Sequence, residues 1–301
     1  MSIRAVKQVL EAQPTIEGAG VHLRRAFGFG KTDEFDPFLL FDDFRNDNPR
    51  DYLAGFPWHP HRGIETITYV LSGTVNHGDS LGNKGTLGSG DVQWMTAGSG
   101  IMHQEMPQGD ERGRMHGFQL WANLPSSLKM TVPRYQDVAS GEIPEITDDD
   151  GTFVRVVCGE FWGKRGPVEG IAADPRYLDV RVLPNKRKKL PVETTRHAFA
   201  YVFEGSGSFR DASGPMPVRT DYVGPDADRQ TAEAHNRSLV LFDAGDDVTV
   251  QAGPEGIRFL LISGRPLKEP VAWYGPIVMN TEEELRQAYA ELRAGTFIKR
   301  R

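Results

Sequence analysis

Apolar positions in this chain fall in short runs, some alternating with polar residues and some nearly unbroken, with glycine-rich turns between them. Glu65-Thr66-Ile67-Thr68-Tyr69-Val70-Leu71, Val154-Arg155-Val156-Val157 and Ala198-Phe199-Ala200-Tyr201-Val202-Phe203 are the clearest. Runs of this length, rich in β-branched and aromatic residues, read as strands, and many in series predict a sandwich or barrel. A helical period emerges only near the C-terminus. Thr281-Glu282-Glu283-Glu284 forms a capping box, Leu285, Ala288, Tyr289 and Leu292 make one apolar stripe, and Gly295 supplies the stop. The expected fold is all-β with one short C-terminal helix, which serves packing.

The strand pattern occurs twice. Tyr69-Val70-Leu71-Ser72-Gly73 matches Tyr201-Val202-Phe203-Glu204-Gly205, Gly90-Asp91 is echoed by Gly245-Asp246, and Gly98-Ser99-Gly100-Ile101 by Gly253-Pro254-Glu255-Gly256-Ile257. Each match is weak alone, but their order is preserved, so a duplicated β-barrel is the reading. It divides the chain into an N-terminal barrel over 1–137, a linker over 138–150 carrying Asp148-Asp149-Asp150, and a C-terminal barrel over 151–301 that ends in the helix. The second copy carries an insertion, placed between Asp211 and His235.

Composition narrows the classes of function. A chain of 301 residues suits two domains, and 39% hydrophobic content is enough for a core in each. The net charge of -6 argues against a protein that holds nucleic acid by broad phosphate neutralisation. The dense basic run Lys186-Arg187-Lys188-Lys189 reads as a solvated loop. Cys158 is the single cysteine, so no intramolecular disulfide forms, which fits a reducing compartment. Met1 to Gly20 lack a signal-peptide core and no stretch is long enough to span a bilayer, so a soluble, cytoplasmic protein is expected.

The strongest local signal is His59-Pro60-His61, running into the strand at Glu65. Side chains at i and i+2 of an extended segment share a face, so both imidazoles can aim into one barrel. His103-Gln104-Glu105 repeats that geometry on a later strand, after the turn at Gly98 and Gly100. Two such pairs face to face supply nitrogens and a carboxylate oxygen for one metal ion in the N-terminal barrel. That donor set suits iron, manganese, nickel, copper or zinc and disfavours calcium or magnesium. His22, His77, His116, His197 and His235 have no histidine at i±2 and read as structural or exposed. The repeat acts as a control. It sets Pro191 and Glu193 opposite His59 and His61, and Phe259 and Leu261 opposite His103 and Glu105. The C-terminal barrel is therefore expected to hold no metal, leaving one ion per chain. Four protein ligands leave about two positions of an octahedral ion open, with a net charge near +1 that favours an anionic oxygen donor. Phe56, Trp58, Trp94, Met95, Met102 and Met106 are the expected walls of a pocket for a flat aromatic ligand.

These residues carry a family resemblance. Gly55-Phe56-Pro57-Trp58-His59-Pro60-His61-Arg62-Gly63-Ile64-Glu65-Thr66 resembles the pirin signature, and Trp94-Met95-Thr96-Ala97-Gly98-Ser99-Gly100-Ile101-Met102-His103-Gln104-Glu105 its second metal motif. Asp36 to Phe44, Gln119 to Pro125 and Tyr274 to Thr281 are similar to pirins as well, so the resemblance spans nearly the whole chain. It implies the cupin superfamily, a bicupin fold and Fe(II) held by His59, His61, His103 and Glu105. The chain departs from the general cupin pattern where Thr96-Ala97-Gly98 replaces Pro-x-Gly. Glu65 stands where many cupins place their carboxylate ligand, and is expected here as an outer partner of the centre.

The resemblance also implies an activity. Some pirins resemble quercetin 2,3-dioxygenases, opening the flavonol heterocycle with dioxygen and releasing carbon monoxide. On that pattern Glu105 takes the substrate proton, and the partner is a small aromatic molecule such as a flavonol. The alternative is a non-enzymatic iron-binding regulator of a transcription factor or metabolic enzyme, in which oxidation raises the site charge from about +1 to +2. Arg24-Arg25 and the tail Lys299-Arg300-Arg301 read as ordinary surface charge.

Overall fold

The strand-forming runs build two barrels in the computed structural model, which describes residues 2–168, 172, 174–209 and 233–299. The expected insertion lies outside the described residues as far as 232, as do the last two arginines. The first half contributes β1 (Val6–Glu11), β2 (Gln13–Glu17), β3 (Val21–Phe27), β4 (Phe38–Asp43), β5 (Phe56–His61), β6 (Ile64–Ser72), β7 (Thr74–Asp79), β8 (Lys84–Leu87), β9 (Val92–Thr96), β10 (Ile101–Gln108), β11 (His116–Asn123) and β12 (Arg134–Val138). A sheet ordered β12-β9-β6-β11-β4-β3-β2 faces a four-stranded sheet ordered β5-β10-β7-β8, and the space between them is the first barrel's interior.

The second half adds β13 (Glu145–Thr147), β14 (Phe153–Cys158), β15 (Glu160–Phe161), β16 (Lys164–Arg165), β17 (Arg176–Val182), β18 (Arg187–Pro191), β19 (His197–Ser208), β20 (Glu233–His235), β21 (Ser238–Phe242), β22 (Asp247–Gly264), β23 (Ala272–Tyr274) and β24 (Ile277–Met279). Most of these form one nine-stranded sheet that folds round an apolar interior containing Val156, Val180, Val202, Val240, Phe259 and Leu261. The basic run at Lys186, expected as a loop, instead enters β18, where Lys188 pairs with Asp148 and Asp150. The repeat is visible in the turns: Gly73 and Gly205 both have positive φ, 80° and 68°. A Cβ there would lie 2.5 Å from the Gln108 carbonyl oxygen and 2.1 Å from that of Gly256, so only glycine fits either turn.

Both chain ends cross to the opposite barrel. Strand β1 pairs with β21 of the second sheet. The β23–β24 hairpin and helix α2 (Glu282–Arg293; the one-turn helix α1 is Thr32–Phe35) return to the first. Thr281 and Glu284 cap α2 reciprocally, as the sequence predicts, and Leu285 and Ala288 bury its stripe. The helix also does more than pack. Its Glu291 pairs with the buried Arg62 at 2.8 Å, Arg62 donates to the Phe297 carbonyl at 2.9 Å, and the Lys129 ammonium donates to the carbonyls of Gly63 and Val278. The segment just after His61 is thereby clamped from the far end of the chain. Among the described residues no helix is long and apolar enough to cross a membrane.

The barrels meet across a shared core in which Phe41, Tyr69, Trp94 and Phe118 pack with Tyr177, Phe199, Tyr201 and Leu260. Its polar seams are reciprocal. Tyr69 donates to Asp179 at 2.8 Å and Tyr201 donates to Asp43 at 2.9 Å, each reaching into the other barrel. Along β6 the side chains alternate, so Glu65, Ile67 and Tyr69 face this shared core while Thr66 and Thr68 face the first barrel's interior. Glu65 is consequently not an outer partner of the predicted metal ligands, which is a correction to the sequence reading. It accepts from Thr96 at 2.7 Å, and the Trp94 indole N–H lies near it without hydrogen-bond geometry.

Burial pushes the Glu65 carboxyl up from 4.5 to about 7. Its folded-state pKa lies above the unfolded value, so its stabilising contribution is complete below pH 4.5 and disappears as pH rises through 7. The two values differ by about 3 kcal/mol as an upper bound. Glu65→Gln, which stays neutral, should therefore lose about 2–3 kcal/mol less stability than the parent between pH 5 and pH 8.5. Urea unfolding at both pH values measures this, and parallel losses in the two proteins would contradict it.

Candidate metal centre

Strand β5 lies at the edge of the four-stranded sheet, where Pro57 and Pro60 cost no ladder hydrogen bonds that a central strand would need. It pairs with β10 so that His59 stands opposite His103 and His61 opposite Ile101, and a bulge then brings Phe56 opposite Glu105. His103 and Glu105 share the buried face of β10 and His59 and His61 lean over it, but Glu105 lies outside the group of ligand atoms that come within 4.8 Å of one another, which the three histidines form by themselves among the described residues. The ligand nitrogens of His59, His61 and His103 all lie within 4.8 Å of one another. Ring centroids are 4.3 Å apart for His59–His103 and 4.9 Å for the other two pairs.

Hydrogen bonds fix two of the three tautomers. His59 Nδ1 lies 2.8 Å from the Pro57 carbonyl and His61 Nδ1 lies 3.1 Å from the Pro276 carbonyl. A carbonyl oxygen only accepts, so both Nδ1 atoms carry the hydrogen and both Nε2 atoms present lone pairs. Those two Nε2 atoms are 3.1 Å apart. Two lone pairs at that distance repel, and a cation between them removes the repulsion. His103 is fully buried, and among the described residues neither of its ring nitrogens has a hydrogen-bond partner. Burial holds His61 and His103 well below the ordinary imidazole range, and each lies in the field of neighbouring histidines. Neutral imidazoles with outward N–H groups anchored on carbonyls are what a divalent transition metal requires of its ligands. The residues fit such an ion.

Glu105 lines the same cavity, its carboxylate held by neighbours from the facing sheet. Thr68 Oγ1 lies 2.9 Å from Glu105 Oε1 and 2.7 Å from Gln119 Oε1, and Gln119 Nε2 donates to Glu105 Oε2 at 3.2 Å. Thr68 has one hydroxyl proton for two acceptors, so it serves only one of them at a time. His77 also belongs here. It stands opposite Glu105 on β7, as Asp79 stands opposite His103, with its ring 5.5 Å from that of His103 and 3.5 Å between its Nε2 and Asp79. Neither of its buried ring nitrogens has a hydrogen-bond partner. The missed signal was the carboxylate two residues on: His77-Gly78-Asp79 has the same spacing as His103-Gln104-Glu105 but was read as a histidine without a partner. His22 and His235 are exposed, as expected.

A cavity of about 460 Å³ opens over His59 and His61. Of the six apolar residues predicted to wall it, only Phe56 does so. Trp58 is 53% exposed, Trp94 belongs to the core between the barrels, and Met95 packs with Leu39 and Ile64. Met102 and Met106 alternate with His103 and Glu105 and so point out of the barrel. The walls are instead Val21, Leu23, Leu40, Phe44, Met115 and Trp121, from strands β3, β4 and β11 and their flanks. Arg25, read from the sequence as surface charge, lies in this wall with its side chain 17% exposed. In the second barrel Phe259 and Leu261 fill the equivalent inner positions, while Pro191 and Glu193 lie at the surface. The single thiol is buried and pushed up to about 12, chiefly by burial, which leaves it unreactive.

Comparison with known proteins agrees with this arrangement. Residues 20–122 match the Pirin family model, and residues 177–298 match that of the Pirin C-terminal cupin domain. A pirin-like protein of Caulobacter vibrioides is 43% identical over 99% of this chain and 100% of its own length. Pirin of Homo sapiens is 40% identical over 92% of this chain and 88% of its own. Among solved structures, quercetin 2,3-dioxygenase from Acinetobacter baumannii superposes with a TM-score of 0.84 at 29% identity, covering 98% of this chain and 99% of that one. With both barrels matched and a relative 43% identical over its full length, the chain belongs to the pirin family and has its bicupin fold.

Proposed function

We propose that this protein is a metal-dependent dioxygenase that opens the heterocycle of a flavonol-type substrate, with one Fe(II) held by His59, His61, His103 and Glu105. The observation that carries this reading is the pair of Nε2 atoms of His59 and His61, 3.1 Å apart in the wall of a 460 Å³ cavity, with the buried His103 beside them. The cavity is within the range that holds drug-sized ligands, about 300–1,000 Å³. The quercetin 2,3-dioxygenase likeness supports the reaction class. When bound, a divalent ion supplies a Lewis-acid centre that lowers the pKa of an enol or phenol and leaves room for dioxygen.

The chain's own residues do the rest. Glu105, positioned by Thr68 and Gln119, takes the proton of the substrate's enolic hydroxyl on a carboxylate oxygen. Trp121, whose ring lies 5.0 Å from that of His61, and the aliphatic walls hold a flat ring system against the centre and keep water away. The Pro57 and Pro276 carbonyls keep the imidazoles aimed.

Elemental analysis of protein expressed with iron should give about one ion per chain, and His103→Ala should bring that to near zero while circular dichroism stays that of a folded barrel. Glu105→Gln should lower occupancy or activity far more than Glu65→Gln, whose side chain faces the other core. Two tightly held ions per chain, or an emptied site in Glu65→Gln, would overturn the ligand set. In air the ferrous protein should consume dioxygen with quercetin and release carbon monoxide. Thr68→Val, which unfastens Glu105, should cut kcat/KM about 10- to 100-fold. No oxygen uptake by verified ferrous protein with several flavonols would shift the family role to a regulatory one.

A further inference from the structure

The cavity has a second polar end that the metal chemistry does not use. Arg25, Asp42, Gln119 and Thr68 occupy directly opposed positions on the successive strands β3, β4, β11 and β6, and all four line the cavity. Directly opposed residues share a face of the sheet. With strands spaced about 4.8 Å apart, Asp42 stands roughly 10 Å from Thr68, the residue that holds Glu105. One polar row thus runs from the metal ligands to a separate charged group across apolar walls.

That group is an acceptor. Arg25 Nε and Nη2 donate to Asp42 Oδ1 and Oδ2, both at 2.8 Å, and Arg25 Nη1 meets Glu17 at 2.9 Å. The guanidinium is therefore spent on two carboxylates, and the three groups carry one net negative charge. Such a site repels a carboxylate, sulfate or phosphate. Each oxygen of Asp42 takes one hydrogen bond from Arg25 and keeps a lone pair for another, and the side chain is 7% exposed. A buried acceptor of this kind strongly favours a ligand that brings a neutral O–H donor over one that leaves it unmatched.

We infer that the Arg25–Asp42 pair is a specificity subsite, which selects substrates whose distal ring carries phenolic hydroxyls and rejects those carrying an acidic group there. This rests on the flavonol reading and names the substituent pattern: an ionisable oxygen at the histidine end, an aromatic body along Leu23, Leu40 and Phe44, and one or two hydroxyl donors at Asp42.

The test is anaerobic titration calorimetry on the iron-loaded full chain, where no turnover occurs. The probes are quercetin, galangin (the same flavonol without the two B-ring hydroxyls) and a galangin analogue with a B-ring carboxylate. The parent should bind quercetin about tenfold or more tightly than galangin and the carboxylate more weakly than either. Asp42→Asn should bring the quercetin-to-galangin ratio close to one, mainly by weakening quercetin. Equal affinity of the parent for quercetin and galangin, or tightest binding of the carboxylate, overturns the subsite without touching the metal site, and needs no variant to fold. An Asp42→Asn protein that keeps the full ratio also overturns it. Binding of none of the three sinks the flavonol reading itself, a different outcome from equal binding.

Discussion

A β-strand has two faces, and in this protein β6 lends one to each interior. Thr68 turns inward to hold Glu105, while Ile67 and Tyr69, its immediate neighbours, build the core between the barrels. A shift of one residue in the pairing of β6 would send Thr68 into an apolar core and Tyr69 into the cavity. The register is fixed by large side chains on the shared face, including Tyr69, Phe118 and Trp94, and by the hydrogen bond from Tyr69 to Asp179 in the other barrel. The position of Thr68 beside the candidate ligand Glu105 is therefore held by a core on the opposite face of the strand.

The same two-faced rule explains which parts of the site are legible in the sequence. Spacing at i, i+2 identifies residues that share a face, so His59 pairs with His61 and His103 with Glu105 on spacing alone, while their union as one ligand set comes from the family resemblance. Spacing does not say which face looks inward. Glu65 sits in an alternating run close behind the histidines, yet its parity places it with Ile67 and Tyr69. Trp58, Met102 and Met106 failed as walls for the same reason: a residue next in sequence to a histidine or to Glu105 on a strand points to the opposite face. The real walls come from β3, β4 and β11, which only the sheet order brings to the cavity.

Duplication was legible because it leaves marks that local chemistry preserves, namely glycines at turns with positive φ and tyrosines on matching strands. The crossing of the chain ends was not. Nothing in the composition of Val6–Glu11 says that it pairs with β21, and the helix stripe at Leu285 and Ala288 is equally compatible with packing on either barrel. Likewise Arg25 looks like surface charge in a linear reading, because its partners Asp42 and Glu17 become neighbours only when β2, β3 and β4 are paired.

The crossing ends have a consequence for how the protein is made. His59 and His61 leave the ribosome early, but the carbonyl that orients His61 belongs to Pro276, and the groups that clamp Arg62 are Glu291 and Phe297. A nascent chain that has reached Glu105 still lacks the carbonyl that aims His61, although His59 is already aimed by Pro57. A chain cut before Pro276 would lose the carbonyl that orients His61 and the groups that clamp Arg62, while His59 would keep its Pro57 carbonyl.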